Sequence, residues 1–232
     1  MHRRTTFLAV IPLVLTAASM GAPAAFADSH GSDRAQDRIN DSAHLIDHMK
    51  QDPNLAQLLS EARGVFIIPH YGKAGFIVGG QGGGGVVLAR HDGRWTDPAF
   101  FDLGGGSFGW QAGATGGSIV MMLMTPRAVD QFENSRGKWS LHAGVGLTVV
   151  KYSGNLQATT RGRNDIIVWS DTRGLYGGLT AGVTDIRPDG HLDRDYYHQK
   201  ATPQMILTGQ VTADNHEARD LRDALSTRVA TR

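Results

Sequence analysis

Apolar residues recur at helical spacing near the start of the chain. Ile39, Ala43, Ile46 and Met49 lie three or four positions apart, and mostly charged or polar residues fill the positions between them. This period predicts an amphipathic helix over 33–50. Acids and arginines alternate on its polar side, so the helix offers no net positive charge.

A second helix is expected directly afterwards. Asp52-Pro53 provides an N-cap followed by a first-turn proline, and leucines continue the apolar stripe as far as Ala62. Gly64 is expected to stop this helix. The N-terminal helices therefore cover 33–63.

After Gly64 the hydrophobic pattern changes from helical to alternating. Runs such as VFIIP, GFIVGG, GVVLAR and DIIVWS are short, rich in aliphatic residues and separated by turn-forming sequences. Such runs predict antiparallel strands. The sequences HDGR at 91–94 and PDGH at 188–191 are expected to form hairpin turns. This strand-rich core covers 65–211.

Two further helices are expected. A Thr-Pro pair at 125–126 predicts a capped helix that buries Ala128, Val129 and Phe132, and a final helix covers 214–229. Strands in the middle with helices at both ends favour an α+β fold over repeated βαβ units. We therefore expect an antiparallel, glycine-rich curved sheet or barrel-like core, packed by N-terminal, central and C-terminal helices.

The first 27 residues have the pattern of a signal peptide. A basic start precedes an apolar core from Phe7 to Ala18 and an A-x-A cleavage site at 25–27. The mature chain, 28–232, is expected to be a single domain in the periplasm or outside the cell. The chain has no cysteine, so neither disulfides nor a lipoprotein anchor is expected. Losing two of 23 basic residues leaves 21 against 22 acids, and no nucleic-acid partner is expected.

Gly80, Gly82 and Gly85 match the pattern G-x-G-x-x-G. A dinucleotide site needs the third glycine to open a helix, whose N-terminus then binds the pyrophosphate. Val86–Arg90 instead has the pattern of a strand that leads into a turn. No nucleotide site and no cofactor are therefore expected.

Glycines also share one face of three predicted strands, Phe108–Gly117, Leu141–Val149 and Leu175–Thr184. An interior glycine weakens a strand by about 0.5–1 kcal/mol relative to alanine, so aligned glycines indicate a layer that packs unusually close. That layer is expected to be the protein's own helices, with a bound ligand as the alternative. This glycine strip consists of Gly109, Gly113, Gly144, Gly146, Gly178 and Gly182.

Ser107 lies in a G-x-S-x-G sequence, the pattern of a hydrolase nucleophile elbow. An elbow needs a helix after the serine, whereas the alternating residues that follow predict a strand. A serine in a glycine-rich turn is favoured, with a serine hydrolase as the weaker alternative. No catalytic residue is expected.

Acids and histidines are dense between Asp185 and His198. The segment fits an EF-hand calcium loop at Asp185, Asp189 and Gly190, but Tyr196 stands where a bidentate glutamate is needed. Solvated acids around a hairpin turn are the favoured interpretation, with a structural cation as the alternative. No metal site is predicted.

Seven segments occur in the order and spacing of the SYLF domain: EARGVFIIP, GGQGGGG, WTDPAF, GGGSFGWQAGA, MTPRAVDQF, GLYGGLTAGV and DRDYYHQKATPQMIL. The chain resembles this family from about Ala43 to Leu225, as an exported bacterial member. The resemblance implies one α+β domain that acts by binding and has no established catalytic residues. Eukaryotic members are linked to phosphoinositides and fungal members to actin, but actin is not expected as a partner here.

Eukaryotic members of the family use a basic N-terminal helix for inositol phospholipids, and this chain lacks one. Basic residues near Tyr71 and Tyr152 are more suitable, because such pairs favour a headgroup boundary. The favoured function is a non-enzymatic envelope protein that binds phospholipid or a membrane surface. The alternative is a structural or protein-partner module of the periplasm with no lipid ligand. The expected headgroup contacts are Lys151, Arg161 and Arg163, with Lys73 as a weaker candidate.

Overall fold

The computed structural model describes residues 25–75, 78–108, 113–140, 149–152, 164–171 and 185–226. Most of the expected signal peptide lies outside these ranges, as do 141–148 and 172–184, which hold most of two predicted glycine-bearing strands. The predictions for those segments therefore stay predictions.

In the described part of the chain, two helices precede the sheet, as predicted. α1 spans Ala25–Met49 and α2 spans Pro53–Glu61. The apolar stripe of α1 is buried, and α1 packs against the first two strands and against two later helices. The side chain of Asp52 caps α2 by accepting a hydrogen bond from Asn54 N–H (2.8 Å).

Gly64 does not stop α2, which was a wrong prediction. The helix ends at Glu61, and Gly64 is instead the first residue of the first strand. A Cβ at Gly64 would lie 3.1 Å from side-chain atoms of both Leu123 and Val129. A side chain at this position would therefore be tightly packed, and Gly64 begins a strand instead of ending a helix.

The described strands form one sheet in the order β6-β7-β5-β1-β2-β4-β8, with β3 paired to β2. Their pairs are antiparallel, except that β6 runs parallel to β7. The predicted α+β fold with a curved, antiparallel core is confirmed. The strands are β1 Gly64–Gly75, β2 Val78–His91, β3 Arg94–Trp95, β4 Ala99–Phe108, β5 Gly113–Leu123, β6 Val149–Lys151, β7 Ile166–Ser170 and β8 Asp185–Pro188.

Among the described residues, four helices follow the first five strands. α3 spans Pro126–Glu133, α4 Gly190–Tyr197, α5 Pro203–Leu207 and α6 His216–Ser226. The sequence predicted α3, with its Thr125 cap, and α6, but it missed α4 and α5.

The hairpin turn predicted at 188–191 is wrong, because Asp189 is the N-cap of α4. The Asp189 carboxylate accepts a hydrogen bond from Leu192 N–H (3.1 Å). The turn predicted at 91–94 is confirmed. It joins β2 to β3, and both Asp92 and Gly93 have positive φ angles (49° and 80°), as expected for a two-residue hairpin loop.

Two predicted strands have different boundaries in the structure. GFIVGG is not a separate strand, because Gly75 ends β1 and 78–80 belong to β2, which continues to His91. Phe108–Gly117 is divided between the end of β4 and the start of β5. Those two strands pair with different neighbours, β2 and β1 respectively.

α3 is attached to the sheet through aromatic rings. Phe132 makes edge-to-face contacts with Phe66, Phe101 and Trp139, with ring centroids 5.4, 5.3 and 5.0 Å apart. Each such pair contributes roughly 0.5–1.5 kcal/mol beyond burial alone. This cluster lies on the face of the sheet that α3 covers.

Candidate functional site

Lys151 is an exposed cation at the end of β6. Its backbone pairs with Val168 of β7, and the next residue continues the ladder, because Tyr152 N–H donates to the Val168 carbonyl (2.8 Å). Lys151 is therefore presented by a strand whose backbone is fixed in the sheet.

Tyr152 anchors this strand to the start of α2. Its phenolic O–H donates to Asp52 Oδ2 (3.1 Å), and the other oxygen of Asp52 caps the helix. Burial, and then the Asp52 carboxylate, raise the pKa of Tyr152. Tyr152 is 9% exposed, so it fixes the position of Lys151 and does not provide the boundary aromatic that the sequence suggested.

The other predicted headgroup contacts are not brought to Lys151. Lys73 lies within β1, and two strands, β7 and β5, separate β1 from β6. Arg161 and Arg163 lie outside the described residues. Tyr71 is 2% exposed, and burial raises its pKa to about 12. The idea that Tyr71 lies at a headgroup boundary is therefore wrong.

The predicted glycine strip also lies mostly outside the described ranges. Gly113 is the exception, since it begins β5 and its backbone pairs with Gly75. Whether the strip packs against the protein's own helices or a ligand therefore stays a prediction.

The glycines of β2 have a visible structural role. Ile67 pairs with Val86, and Gly72 pairs with Gly82, so the four residues 68–71 of β1 face the three residues 83–85 of β2. The extra residue forms a bulge. At this bulge a Cβ on Gly83 or Gly85 would collide with a carbonyl oxygen of β1, that of His70 or Ile67.

Gly84 faces α1 instead of β1. A Cβ at this position would collide with the guanidinium of Arg38. The missing side chain leaves room for this charged group between α1 and β2. The expectation that the G-x-G-x-x-G run does not open a helix is confirmed, because the run lies within the strand β2. Gly84 lies between the second and third glycines of the pattern and leaves room for the Arg38 side chain of α1.

Arg38 belongs to a group of charges between α1, β4 and α4, which we call the Arg38 cluster: Arg38, Asp102, Arg187 and Asp193. Arg38 Nη1 lies 3.9 Å from Asp102 Oδ1, and Arg187 Nη2 lies 3.3 Å from Asp102 Oδ2. Burial lowers the pKa of Arg38, while Asp102 and the acids of α4 oppose this effect. The cluster connects the N-terminal helix to the sheet.

Asp193 is the most deeply buried acid of this cluster, at 0% exposure. Its Oδ1 accepts a hydrogen bond from Phe100 N–H (2.9 Å). Burial raises the pKa of Asp193 to about 8, and the Phe100 hydrogen bond and Arg38 oppose the shift. The carboxyl group is therefore mostly protonated at neutral pH, and the cluster then holds two positive charges and one negative charge.

The interpretation of the segment from Asp185 to His198 as solvated acids at a hairpin is wrong. Asp189 caps α4, Asp193 is buried, and the Asp195 side chain lies where a Cβ on Gly31 would be. Among the residues that the structure describes, no three histidine or acidic side chains are placed to hold a metal ion. The structural cation considered as an alternative therefore has no support there.

Ser107 lies within β4, where it pairs with Gly79 of β2. The next described element, 113–123, is the strand β5. A nucleophile elbow requires a helix after the serine, so this local geometry does not favour a hydrolase.

The comparison with known proteins identifies the family. Residues 104–228 match the Ysc84 family, which is described as "Las17-binding protein actin regulator". The chain belongs to this family. The resemblance to the SYLF domain is thereby confirmed.

Relatives of this Ysc84-family protein occur in animals and yeast. The SH3 domain-containing YSC84-like protein 1 of Bos taurus is 30% identical over 173 residues, which is 73% of this chain and 50% of that protein. Protein YSC84 of Saccharomyces cerevisiae is 29% identical over 159 residues, 66% of this chain and 34% of that protein. The chain thus spans half or less of the length of these relatives. The expectation that actin is not a partner finds no support here, since the family is described as an actin regulator.

The helices described for this Ysc84-family protein include none with the length and hydropathy needed to cross a bilayer.

The Arg38 cluster was not predicted from the sequence. Leu192, Tyr196 and Tyr197 are buried at helical spacing, and this pattern could have revealed α4. Asp193 would then have been recognised as an acid on the buried face of a helix. The contact between Arg38 and Gly84 has no local signal, because 46 positions separate the two residues.

Proposed function

We propose that this Ysc84-family protein is a non-enzymatic module that binds anionic phospholipid outside the cytoplasm. The observation that carries the proposal is the exposed Lys151 on a strand anchored by Tyr152 and Asp52. A cation on an ordered strand loses less backbone freedom on binding than one on a loose loop. Family membership supports a binding role, and the pattern of residues 1–27 supports export.

Flotation of the purified protein with vesicles tests this proposal. We expect co-flotation with phosphatidylglycerol vesicles and not with phosphatidylcholine vesicles. A surface cation contributes roughly 1 kcal/mol near an anionic bilayer, so Lys151→Gln should weaken binding about fivefold. Lys200→Gln is the matched control, because Lys200 is also exposed and lies between α4 and α5. Equal binding by both variants would remove Lys151 from the proposal.

A protein partner is the second candidate function, and the names of the relatives favour it. One yeast relative, 28% identical over 159 residues, is called LAS seventeen-binding protein 3. If neither vesicle type binds the protein, this candidate replaces the first. Co-sedimentation with filamentous actin then tests the partner that the family description names.

The hydrolase alternative has its own test. We expect no turnover of p-nitrophenyl esters, since Ser107 lies within a strand. Turnover that Ser107→Ala abolishes would contradict the proposal that the protein is not an enzyme.

A further inference from the structure

Two exposed histidines lie one helical turn apart near the C-terminal end of α1. His44 and His48 are separated by four positions, the only such pair among the 10 histidines of the sequence, and both are exposed residues of this helix. Side chains four positions apart project from the same face of an α-helix, with Cβ atoms roughly 5–6 Å apart. The two imidazoles are therefore neighbours on the solvent-facing side of α1.

Packing on the opposite face keeps this part of α1 helical. Leu45, Ile46 and Met49 are buried, and Lys50 N–H donates to the Ile46 carbonyl (3.0 Å), which continues the helical hydrogen bonding past the end of α1. The core of the protein thus maintains the spacing of His44 and His48. Two ligands whose spacing is already fixed lose less conformational freedom on binding than two ligands on a flexible chain.

This spacing on a helix is the one with which two histidines bind a single metal ion. In the helical motif H-E-x-x-H, the histidines at positions i and i+4 bind one zinc ion from the same face. Imidazole nitrogen is a preferred ligand of zinc, copper and nickel ions. Neither His44 nor His48 forms a hydrogen bond or ion pair with another residue that the structure describes, so both rings can bind an ion.

The surroundings of the two histidines favour a positive charge. His48 lies in the last turn of α1, where the dipole of a helix stabilises cations. The exposed Asp47 follows His44 by three positions, and this spacing places it on the same side of the helix as His44. A carboxylate nearby further stabilises a bound divalent cation through its opposite charge.

We propose that His44 and His48 bind a divalent transition-metal ion of the zinc type on the surface of α1. In the described ranges no third histidine or acidic side chain is placed to join them, so solvent supplies the remaining ligands. The buried Leu45 stands where H-E-x-x-H has its general base. The site is therefore a binding site and not a peptidase centre. It was not predicted from the sequence, and it does not depend on lipid binding.

Calorimetric titration of the whole protein, without a histidine tag, with zinc chloride tests the site directly. We expect zinc binding that His44→Gln and His48→Gln each weaken about tenfold or more. The matched control is His30→Gln, because His30 is an exposed histidine of the same helix with no histidine four positions away. Magnesium chloride should give no such binding, since magnesium prefers oxygen ligands.

A relocated pair separates binding by two histidines together from binding by each one alone. Asn40→His combined with His44→Asn keeps two histidines at exposed positions of α1. They then lie two turns, or about 12 Å, apart along the helix and cannot share one ion. This variant should bind zinc as weakly as His44→Gln. Melting temperatures measured without zinc check that every variant is folded.

Nuclear magnetic resonance locates the ion. In the wild type, zinc should shift the ring resonances of both His44 and His48 and leave those of His30 in place. Equal zinc binding by the wild type and His44→Gln, equal loss in His44→Gln and His30→Gln, or full binding by the relocated pair would overturn the proposal. No zinc binding by the wild type would overturn it as well.

Discussion

The guanidinium of Arg38 occupies the space that a side chain at Gly84 would need. Any larger residue at position 84 must displace a half-buried charge from between α1 and β2. The missing side chain at Gly84 therefore allows Arg38 to lie between α1 and β2.

Gly84→Ala should destabilise the protein by about 1–3 kcal/mol, because Arg38 must leave its place near Asp102. Gly72→Ala is the control, since a Cβ at Gly72 would meet nothing within 4 Å. Urea unfolding of both variants checks the prediction. Equal stability of the two variants would show that α1 tolerates the displacement.

Asp193 should make the protein less stable as the pH rises from about 4 to about 8. Its pKa is 3.8 in the ordinary state and about 8 when buried in the fold, so across this range the unfolded chain releases a proton that the folded chain keeps. The stabilising contribution of Asp193 is fully present below its unfolded pKa and is lost as the pH rises through its folded pKa.

Asp193→Asn should remove this dependence, because an amide oxygen still accepts the hydrogen bond from Phe100 N–H. We expect the variant to gain stability over the wild type by a few kcal/mol at pH 8 and to show little difference at pH 4. Urea unfolding at several pH values measures the difference, with the exposed Asp220→Asn as the control. If the difference in unfolding free energy between the wild type and Asp193→Asn does not change with pH, Asp193 is not a buried acid that stays neutral in the folded protein.

Asp97 should anchor the C-terminal helix. It is 3% exposed, accepts a hydrogen bond from Ala213 N–H (2.9 Å) and forms an ion pair with Arg222 of α6. Asp97→Ala should therefore cost about 2–3 kcal/mol and raise amide hydrogen exchange throughout α6. Asp220→Ala on the exposed side of the same helix should change neither measurement.

The hydrogen bond between Tyr152 and Asp52 should contribute about 1 kcal/mol. Tyr152→Phe removes the hydroxyl and keeps the ring, whereas Asp52→Ala removes the helix cap as well. A double-mutant cycle in urea isolates the pair. A coupling energy near zero would mean that β6 is held by its pairing with β7 alone.

Elements with local signals were predictable from the sequence. Thr125 and Pro126 define the start of α3, and the buried positions Ala128, Val129 and Phe132 follow from its period. Cap, proline and apolar spacing all lie within eight residues, so no distant contact is needed to fix this helix.

Elements that depend on distant contacts were not predictable in this way. Asp189 and Gly190 suit a turn as well as a helix start. Which of the two forms depends partly on Asp193, which accepts a hydrogen bond from Phe100, 93 positions earlier in the chain. β2 was divided in two because its glycines interrupt the apolar pattern, yet pairing with β1 and β4 keeps it continuous. The same limit applies to the candidate site, since the burial of Tyr71 and the exposure of Lys151 arise from their places in the sheet.

The contact between Arg38 and Gly84 also limits how far α1 can move along its own axis in one direction. A shift by one turn, about 5.4 Å, would bring either Arg34 or Ser42 to the position that faces Gly84. Arg34 is an arginine of the same length, whereas the uncharged Ser42 would leave Asp102 without an arginine from α1. The contact therefore disfavours the shift that brings in Ser42, and an insertion or deletion within α1 would change which residue faces Gly84.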